Sequence, residues 1–462
     1  MRTLFIQVAY IGASILFILG LRSLTRPDKA RRGMQQAAIG MVLAIAGTLI
    51  NHEILDYKWI VGGMAIGAIL GYPLGMWVPM TAMPQRIALA LSFSSLAATL
   101  VGIAEYYTSA LHVDGLTHAK TAALGFEVML GSLTVAGSMV AAGKLQELLP
   151  SKPLTFRGQN LLNGALFAFI LGLFVFLVMQ PESPLVFYSM VALAFVFGIL
   201  FVIPIGGADM PVVVALLNSY AGLAACATGF AIGNQVLIIA GALDGASGFI
   251  LSILMSKAMN RSFANVLFGA FGSQSMDTGM RKAGEMQVRS ITVEDAAIQL
   301  AYAQQVIVVP GYGMAVAQAQ HQVRELAELI EKRGGEVKYA IHPVAGRMPG
   351  HMNVLLAEAN IPYDKLYDMD EINSDFDRAD VALVIGANDV VNPAARTDKA
   401  SPIYGMPILD VDKSQQVIVL KRSMNTGFAG IDNPLFYNEN TALLFGDAKA
   451  SVSEVLAEVQ AL

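Results

Sequence analysis

Long apolar stretches separated by short polar connections fill the chain from its start to about Met259. A helix needs about 20 predominantly apolar residues to cross the hydrocarbon of a bilayer. Nine stretches come close to that length and predict nine membrane-spanning helices. They lie at about residues 3–21, 34–51, 59–78, 87–104, 122–143, 161–179, 184–204, 210–231 and 235–256.

The hydrophobic pattern changes after about Gln274, where short β-branched runs begin to alternate with amphipathic stretches. Strands are predicted at 305–310, 337–341, 381–385, 417–420 and 442–445, and helices at 314–332 and 450–462. Strands that alternate with helices typically form a parallel sheet with helices on both faces. The predicted fold is a multi-span α-helical membrane domain of about nine helices, followed by a doubly wound, Rossmann-like α/β domain.

The change of pattern also predicts the domain boundaries. Residues 1–260 form the predicted transmembrane domain, residues 261–285 a linker, and residues 286–462 the Rossmann-like domain. A secretory signal would carry its basic residues before its apolar stretch. Here the basic residues follow the first apolar stretch, so we expect that helix to be retained.

Basic residues are distributed unequally between the two sides of the predicted membrane domain. Eleven lie in one set of connections and three in the other, and in membrane proteins the richer side is cytoplasmic. This bias predicts an external N-terminus and a cytoplasmic soluble domain. The eleven residues are Arg22, Arg26, Lys29, Arg31, Arg32, Arg86, Lys144, Lys152, Arg157, Lys257 and Arg261.

The composition excludes several classes of partner and site. Residues 275–462 hold 16 basic and 25 acidic residues, a net charge of −9. Binding to nucleic acid requires a basic face, so we expect no nucleic-acid partner. Cys226 is the single cysteine, and the six histidines show no spacing typical of metal ligands. We therefore expect neither an internal disulfide nor a metal site.

The predicted helices differ in the size of their side chains. Helices five, eight and nine are rich in glycine, alanine and serine, which allow helix backbones to approach closely in lipid. Helices six and seven carry the bulky stretches LFAFILGLFVFLVM and VFYSMVALAFVFGILF. This difference predicts that the first group lies inside the bundle and that the second group faces lipid.

The first predicted strand runs directly into a G-x-G-x-x-V motif at residues 311–316. In dinucleotide-binding folds such glycines permit a tight turn and a close approach of the backbone to a pyrophosphate. The N-terminus of the following helix adds partial positive charge. The third glycine of the full motif is absent. Two interpretations stay open: a dinucleotide site, and a strand–helix turn that needs two glycines.

The residues at the ends of the predicted strands indicate which dinucleotide would bind. The second strand ends at Ile341-His342-Pro343, without the carboxylate that usually holds the ribose of NAD. A later strand ends at Lys421-Arg422-Ser423, and two cations beside a hydroxyl suit a 2′-phosphate. The alternative is a solvated basic pair. The loops 344–350 and 386–393 also follow strands, where simple turns are the alternative to ligand contacts.

Several long segments together resemble one known family, the β subunits of bacterial proton-translocating NAD(P) transhydrogenases. The resemblance covers essentially the whole chain. The segments are IGGADMPVVVALLNSYAG at 205–222, SKAMNRSF at 256–263, GYGMAVAQAQ at 311–320, HPVAGRMPGHMNVLLAEA at 342–359, GANDVVNPAA at 386–395, KRSMNTGFAG at 421–430 and LFGDAKASV at 444–452.

The resemblance implies an oxidoreductase and translocase of the Si-specific/Re-specific type. It would transfer hydride between NAD(H) and NADP(H) and couple the transfer to proton movement across a bacterial inner membrane. NADP(H) would bind to this chain, and NAD(H) to an alpha subunit made of one or two chains. The assembly would be a dimer of heteromers surrounded by lipid. The alternative class is a nucleotide-regulated channel or transporter, although no selectivity-filter loop such as TVGYG is present.

The resemblance also implies which residues contact NADP(H). A lid over the nucleotide is implied at 421–430, and the family commonly has tyrosine where this chain has Phe428, so one lid hydroxyl would be missing. The implied positions, together with the two motif glycines, are Gly311, Tyr312, Gly313, Val344, Ala345, Gly346, Arg347, Met348, Pro349, Gly386, Ala387, Asn388, Asp389, Val390, Gly405, Met406, Lys421, Arg422, Ser423, Met424, Asn425, Thr426, Gly427, Phe428, Asp447 and Ala448.

Polar groups inside membrane helices are costly, and they are candidates for function by default. Asn218 and Ser138 match positions that the family links to proton translocation. Asp209 and Arg261 match positions at the cytoplasmic ends of helices eight and nine, where coupling to the soluble domain is expected. For Asp209, which stands two residues before Pro211, an N-cap is the structural alternative.

A departure from the family pattern leaves the proton carrier open. The family often has a histidine where this chain has Leu91, which cannot titrate. Glu127 and Asp244 are the local candidates, and a histidine of the partner subunit is a further one. For both carboxyl groups a structural role is the alternative. His52 lies at the outer end of helix two, where solvation would explain it.

Overall fold

The computed structural model describes residues 2–26, 29–50, 57–78, 82–110, 116–146, 148–150, 154–206, 209–259, 263, 288–347, 350–399, 401, 403–427 and 429–462. The chain divides into two compact units, Met1–Ile253 and Leu254–Leu462. The first unit is helical and the second contains a parallel sheet, so the predicted fold class is confirmed.

The described residues up to Ala258 form nine long helices, one for each predicted stretch. Eight are long and apolar enough to cross a membrane, and the exception is α2, which Arg31 and Arg32 make less apolar. The nine are α1 (Arg2–Leu24), α2 (Ala30–Leu49), α3 (Tyr57–Met76), α4 (Met83–Ala110), α5 (His118–Leu145), α6 (Gln159–Met179), α7 (Pro184–Val202), α8 (Met210–Ala231) and α9 (Gln235–Ala258).

Small residues determine which helices pack closely. α5 is the most buried of the spanning helices and packs against α4, α7 and α8. α8 and α9 approach backbone to backbone: a Cβ added at Gly222 would lie 2.9 Å from the Cα of Gly245, and one added at Gly248 would lie 2.8 Å from the backbone N of Ser219. The small residues allow this close approach. The prediction that these helices lie inside the bundle is confirmed for α5 and α8 and is wrong for α9, because only 28% of its apolar stretch is buried.

The prediction that helices six and seven face lipid is confirmed for α6 and for the outer face of α7. α6 is mostly exposed, as its bulky composition predicts. α7 packs against α5 with one face, and only 33% of its apolar stretch is buried. Ala194 and Gly198 interrupt the bulky residues of that face, and the small side chains let the two backbones approach. α3 is less covered than either, since it has no buried residue.

The second unit is built on six strands that are all parallel, in the order β3-β2-β1-β4-β5-β6. This is the order of the doubly wound dinucleotide-binding fold. The strands are β1 (Gln305–Pro310), β2 (Glu336–Ile341), β3 (Leu366–Asp368), β4 (Val381–Ile385), β5 (Gln416–Lys421) and β6 (Thr441–Phe445). β3 was not predicted, because three residues are too short to give a pattern.

The helices of the second unit cover the sheet, and one prediction about them is wrong. The helix predicted at 314–332 is divided in two around Gln318, whose φ of 53° lies in the left-handed region and ends the first piece. The helices are α10 (Val293–Tyr302), α11 (Tyr312–Val316), α12 (Gln320–Lys332), α13 (His351–Glu358), α14 (Met369–Ile372), α15 (Ala394–Thr397) and α16 (Ala448–Ala461).

The core of the second unit lies on the sheet. The central strands β1 and β4 are buried along almost their whole length, as expected for strands covered on both faces. Upstream of α10, Ser290 forms a parallel bridge with Leu443 of β6, and the backbone N of Ile291 donates to the carbonyl O of Leu443 at 3.0 Å. The residues just before α10 are therefore part of this unit.

Candidate functional site

The carboxyl ends of the six parallel strands lie at one edge of the sheet, and the predicted nucleotide loops all follow these ends. β1 and β4 are neighbours there, and the chain continues from β1 toward one side of the sheet and from β4 toward the other. Open α/β sheets bind ligands in the crevice at such a reversal of strand order. The fold thus places the loops after β1 and β4 at the expected site.

The turns after β1 and β4 are bonded to each other through their backbones. The N–H of Gly311 donates to the carbonyl O of Ile385, and that of Gly313 to the O of Gly386, both at 2.9 Å. The motif glycines therefore serve this close contact. The positive end of a long helix, expected at this turn, is not there, because α11 is only five residues long.

Gly386 has no room for a side chain and a backbone conformation that favours glycine. Its φ is +66°, and an added Cβ would lie 2.5 Å from the backbone N of Met314. We expect Gly386→Ala to lower the stability of the second unit by roughly 2–5 kcal/mol, from left-handed backbone strain and overpacking together. Proteolysis of the second unit in the full-length protein, at increasing urea, measures the change.

Gly430 provides the matched control for this substitution. Its φ of +72° is nearly the same, but nothing lies within 4 Å of an added Cβ. Gly430→Ala should therefore cost only the backbone strain, roughly 1–2 kcal/mol. Equal loss of stability in the two variants would mean that the contact between the turns contributes nothing.

Tyr312, Arg347 and His351 form a cluster beside the turn after β1. The guanidinium carbon of Arg347 lies 4.3 Å from the centre of the Tyr312 ring, a cation–π contact. The backbone N of Arg347 donates to Nδ1 of His351 at 3.1 Å. Burial, with a smaller contribution from the positive charge of Arg347, lowers the pKa of His351 to about 4. The cluster presents one cation and two aromatic rings.

His342 links the loop after β2 to the segment that contains Gly405 and Met406. Its Nδ1 accepts from the backbone N of Val344 at 3.2 Å, so Nε2 carries the proton and donates to the carbonyl O of Pro407 at 2.8 Å. Burial lowers the pKa of His342 to about 4, so the ring stays neutral near pH 7. Neither His342 nor His351 was predicted as a site residue from the sequence. His342 directly follows a buried strand, and this position could have indicated it.

The loop after β4 is tied to the predicted lid. The backbone N of Ala429 donates to Oδ2 of Asp389 at 2.9 Å. A Cβ added at Gly427 would lie 2.6 Å from Nδ2 of Asn388, so the lid backbone rests on this loop. Asn433 donates to the backbone O and to Oδ1 of Asn388, at 3.1 and 3.0 Å. The structure thus brings together two segments that are about 40 residues apart in the sequence.

The two cations at the end of β5 have different environments. Nζ of Lys421 donates to the carbonyl O of Asn425 at 2.7 Å and lies 4.6 Å from the centre of the Phe436 ring. Burial lowers the pKa of Lys421, and the carboxylates of Asp389 and Asp432 partly oppose this. Arg422 is exposed, and no carboxylate in the described part of the chain pairs with it.

The remaining predicted nucleotide residues follow β4, β5 and β6. Gly405 has a φ of +78° and donates its N–H to the carbonyl O of Ala395 at 2.8 Å. The side chain of Asp447 caps α16 by accepting from the backbone N of Lys449 and Ala450, at 3.1 and 3.2 Å. Val344 to Arg347, Ser423 to Thr426 and Ala448 are described at this edge, whereas Met348, Pro349 and Phe428 lie outside the described residues.

In the membrane unit, the structure joins two of the predicted proton-path residues. Nδ2 of Asn218 on α8 donates to Oδ1 of Asp244 on α9 at 3.0 Å. Asp244 is exposed on the surface of this chain, although it lies near the middle of its helix. A carboxyl group at that depth is costly to expose to lipid. The pair therefore needs a polar or protein neighbour beyond the described residues.

The other predicted membrane residues are dispersed. Ser138 and Leu91 are buried on α5 and α4. Asp209 occupies the N-cap position of α8, but its side chain makes no capping hydrogen bond, which counts against the structural alternative. Glu127 is buried on α5 and bonds to Thr228 of α8. Arg261 and His52 lie outside the described residues.

A protein-family model described as the NAD(P) transhydrogenase beta subunit matches residues 6–458. The chain belongs to this family. It is 50% identical over 460 residues to the NAD(P) transhydrogenase subunit beta of Rhodospirillum rubrum, and the match covers 97% of this chain and 98% of the relative. The protein of the same description from a named strain of that species gives the same values.

Membership of the NAD(P) transhydrogenase beta subunit family settles the class of protein. The chain is one subunit of a transhydrogenase, which implies an alpha subunit as its partner and the use of NAD(P)(H). Its apolar helices make it a membrane protein. The alternative of a nucleotide-regulated channel is therefore set aside.

Proposed function

We propose that this chain carries the NADP(H) site of the transhydrogenase and that the alpha subunit carries the NAD(H) site. The observation that carries the proposal is the edge of the sheet at β1, β4 and β5. Arg422 follows β5 there, within the lid segment; it is exposed and has no carboxylate partner among the described residues. Such a cation suits a 2′-phosphate, which NADP(H) has and NAD(H) lacks.

The residues at this edge have distinct proposed roles. Arg422 and Lys421 bind the 2′-phosphate. Lys421 also holds the lid backbone through Asn425, and Asp389 holds the far end of the lid through Ala429. Tyr312 and Arg347, which contact each other, provide an aromatic ring and a further cation for binding the nucleotide. The nucleotides supply the hydride chemistry themselves, so the chain needs to position them and needs no acid or base at the nicotinamide.

The proposal includes the coupling of hydride transfer to proton movement, in the Si-specific/Re-specific type of enzyme. The Asn218–Asp244 pair, the buried Ser138 and the buried Glu127 are its candidate proton-path groups, and Asp209 and Arg261 are its candidate coupling groups. Proton uptake by vesicles during NADPH turnover, with and without an uncoupler, tests the coupling. Turnover that is independent of the uncoupler and moves no protons would refute it.

The proposed arrangement in the cell follows from the charge bias. The membrane domain, residues 1–260, lies in the bacterial inner membrane with its N-terminus outside. A linker, residues 261–285, connects it to the NADP(H) domain, residues 286–462, in the cytoplasm. The complete enzyme is a dimer of heteromers surrounded by lipid. The exposed Asp244 indicates that a membrane segment of the alpha subunit covers this part of α9.

A fragment of residues 275–462 should fold without the membrane unit and bind NADP(H). It contains the whole sheet, the buried core and the bridge between Ser290 and Leu443. Circular dichroism and a binding titration measure folding and affinity. A shorter fragment that starts at residue 293 is the control, and the loss of the bridge should make it less stable. An unfolded long fragment, or one that binds NAD(H) equally well, would contradict the proposal.

A further inference from the structure

Glu127 lies on α5, where this helix packs against both α4 and α8. Its side chain is 0% exposed. The carboxyl group lies directly against Gly102 of α4, because a Cβ added there would be 3.0 Å from Cδ of Glu127 and 3.1 Å from its Oε1. The glycine on α4 thus makes room for a carboxyl group inside the helix bundle.

Thr228 of α8 provides the hydrogen bond to this carboxyl group. Its Oγ1 lies 2.7 Å from Oε1 of Glu127 and 3.0 Å from the carbonyl O of Ala224. A hydroxyl group has one proton, so it can donate to only one of these two oxygens. If Thr228 donates to Ala224, Glu127 is a neutral acid that donates to Thr228. If Glu127 is a carboxylate, Thr228 turns its proton and donates to it.

The charges around Glu127 favour a group that holds a proton. Its second oxygen, Oε2, has no hydrogen-bond partner among the described residues. Lys120, two turns earlier on α5, pairs instead with Glu105 of α4, and that pair is partly exposed. A buried carboxylate with one bare oxygen and no cation partner is costly. The contacts therefore fit a neutral acid that loses its proton only transiently.

α4 and α5 also carry buried hydroxyl groups beyond Glu127, where Gly131 of α5 lies against Thr99 and Ser95 of α4. The hydroxyl groups of Ser95, Ser132 and Ser138 have no hydrogen-bond partner within the described residues, and buried hydroxyls of this kind are expected to bind ordered water or one another. Together with ordered water, such groups can supply the donors and acceptors that a proton relay requires.

We propose that Glu127 is the group that takes up and holds the translocated proton. Thr228 forms a hydrogen bond with Glu127 in both of its protonation states. The inference rests on the proposed proton coupling and specifies its carrier. An O–H bond forms at the carboxylate when a hydronium ion from the side of the Glu105–Lys120 pair gives up a proton and becomes water. It breaks when Glu127 passes this proton to a neighbouring hydroxyl group or ordered water, which releases its own proton in the direction of Ser138.

The Glu127–Thr228 hydrogen bond survives both steps, because only the threonine proton has to turn. No heavy atom needs to move, so a change of protonation is inexpensive even in a closely packed site. The protonation state of Glu127 also affects α8 directly, because Thr228 lies on that helix together with Asn218. A titrating group at residue 91 is then unnecessary, which fits the leucine found there.

Infrared difference spectroscopy of the complete enzyme in proteoliposomes tests the protonation state. The enzyme should show the carbonyl band of a buried protonated carboxyl group. The band should disappear in Glu127→Gln, shift in Thr228→Val, and stay in Thr228→Ser, which keeps the hydroxyl. The matched control is Asp244→Asn, which removes the other intramembrane carboxyl candidate and should leave the band unchanged. A band that persists in Glu127→Gln would overturn the proposal.

Proton uptake in the same proteoliposomes tests the role. Glu127→Gln should slow coupled proton translocation by roughly 100-fold or more, as expected for the loss of a proton-transfer group. Thr228→Ser should retain most of the rate and Thr228→Val should not. If the wild-type enzyme pumps and Glu127→Gln pumps equally fast, Glu127 is not the carrier. If the wild-type enzyme turns over without moving protons, the proposed coupling itself fails.

Discussion

Replacing Arg422 and Lys421 with alanine should weaken the binding of NADPH far more than the binding of NADH. Each cation can make charge-assisted hydrogen bonds to a 2′-phosphate, and the loss of each should cost roughly 1.5–3 kcal/mol. NADH has no such phosphate, so its weaker binding should change little. Titration of the complete enzyme with both nucleotides measures the two affinities.

The single variants separate two effects that the double variant combines. Arg422 is exposed, so Arg422→Ala should act on the phosphate alone. Lys421 also donates to Asn425, so Lys421→Ala should loosen the lid as well and speed the release of either nucleotide. Lys332→Ala, at the end of α12, is the control for lost charge. If Arg422→Ala weakened NADPH and NADH equally, the phosphate assignment would be wrong.

Asn218→Leu should impair proton translocation and the coupled hydride transfer together, by roughly an order of magnitude. The substitution leaves Oδ1 of Asp244 without its amide donor, and an unsatisfied polar group in the membrane costs roughly 1–3 kcal/mol. Proton uptake by vesicles during NADPH turnover measures the effect.

Leu91→Ala is the control for a packing change in the same bundle. Leu91 is buried on α4 and has no group that can carry a proton. The substitution should lower stability through lost packing and leave the ratio of protons to hydride unchanged. Normal proton pumping by Asn218→Leu would show that the proton path does not include Asn218. A changed ratio of protons to hydride in Leu91→Ala would show that residue 91 takes part in it.

The sequence predicts the elements of this protein better than the contacts between them. Nine long apolar stretches and five of the six strands are visible in the sequence, because contact with lipid or burial in a core acts on every residue of a long element. β3 has only three residues, and the break at Gln318 depends on one left-handed residue inside a helical pattern. Neither feature is long enough to alter a hydrophobic pattern.

In the candidate site, too, the sequence predicts the elements better than the contacts between them. The loops after β1, β2, β4 and β5 were predicted, because strand ends are visible in the sequence and parallel strands bring them to one edge. Two hydrogen bonds were not predicted, because each joins segments tens of residues apart: the one from His342 to Pro407 and the one from Ala429 to Asp389. Likewise, the Glu127–Thr228 bond depends on the way α5 and α8 cross, which no local pattern encodes.

The backbone contact between the turns after β1 and β4 restricts the way this sequence can vary. A side chain at Gly311 or Gly386 would meet main-chain atoms of the opposite turn, so no second substitution elsewhere can relieve the clash. The exposed residues 422–426 meet no such restriction. A new nucleotide preference, whether it arises by evolution or by design, should therefore come from substitutions in this short exposed segment. The glycines of the two turns should stay unchanged.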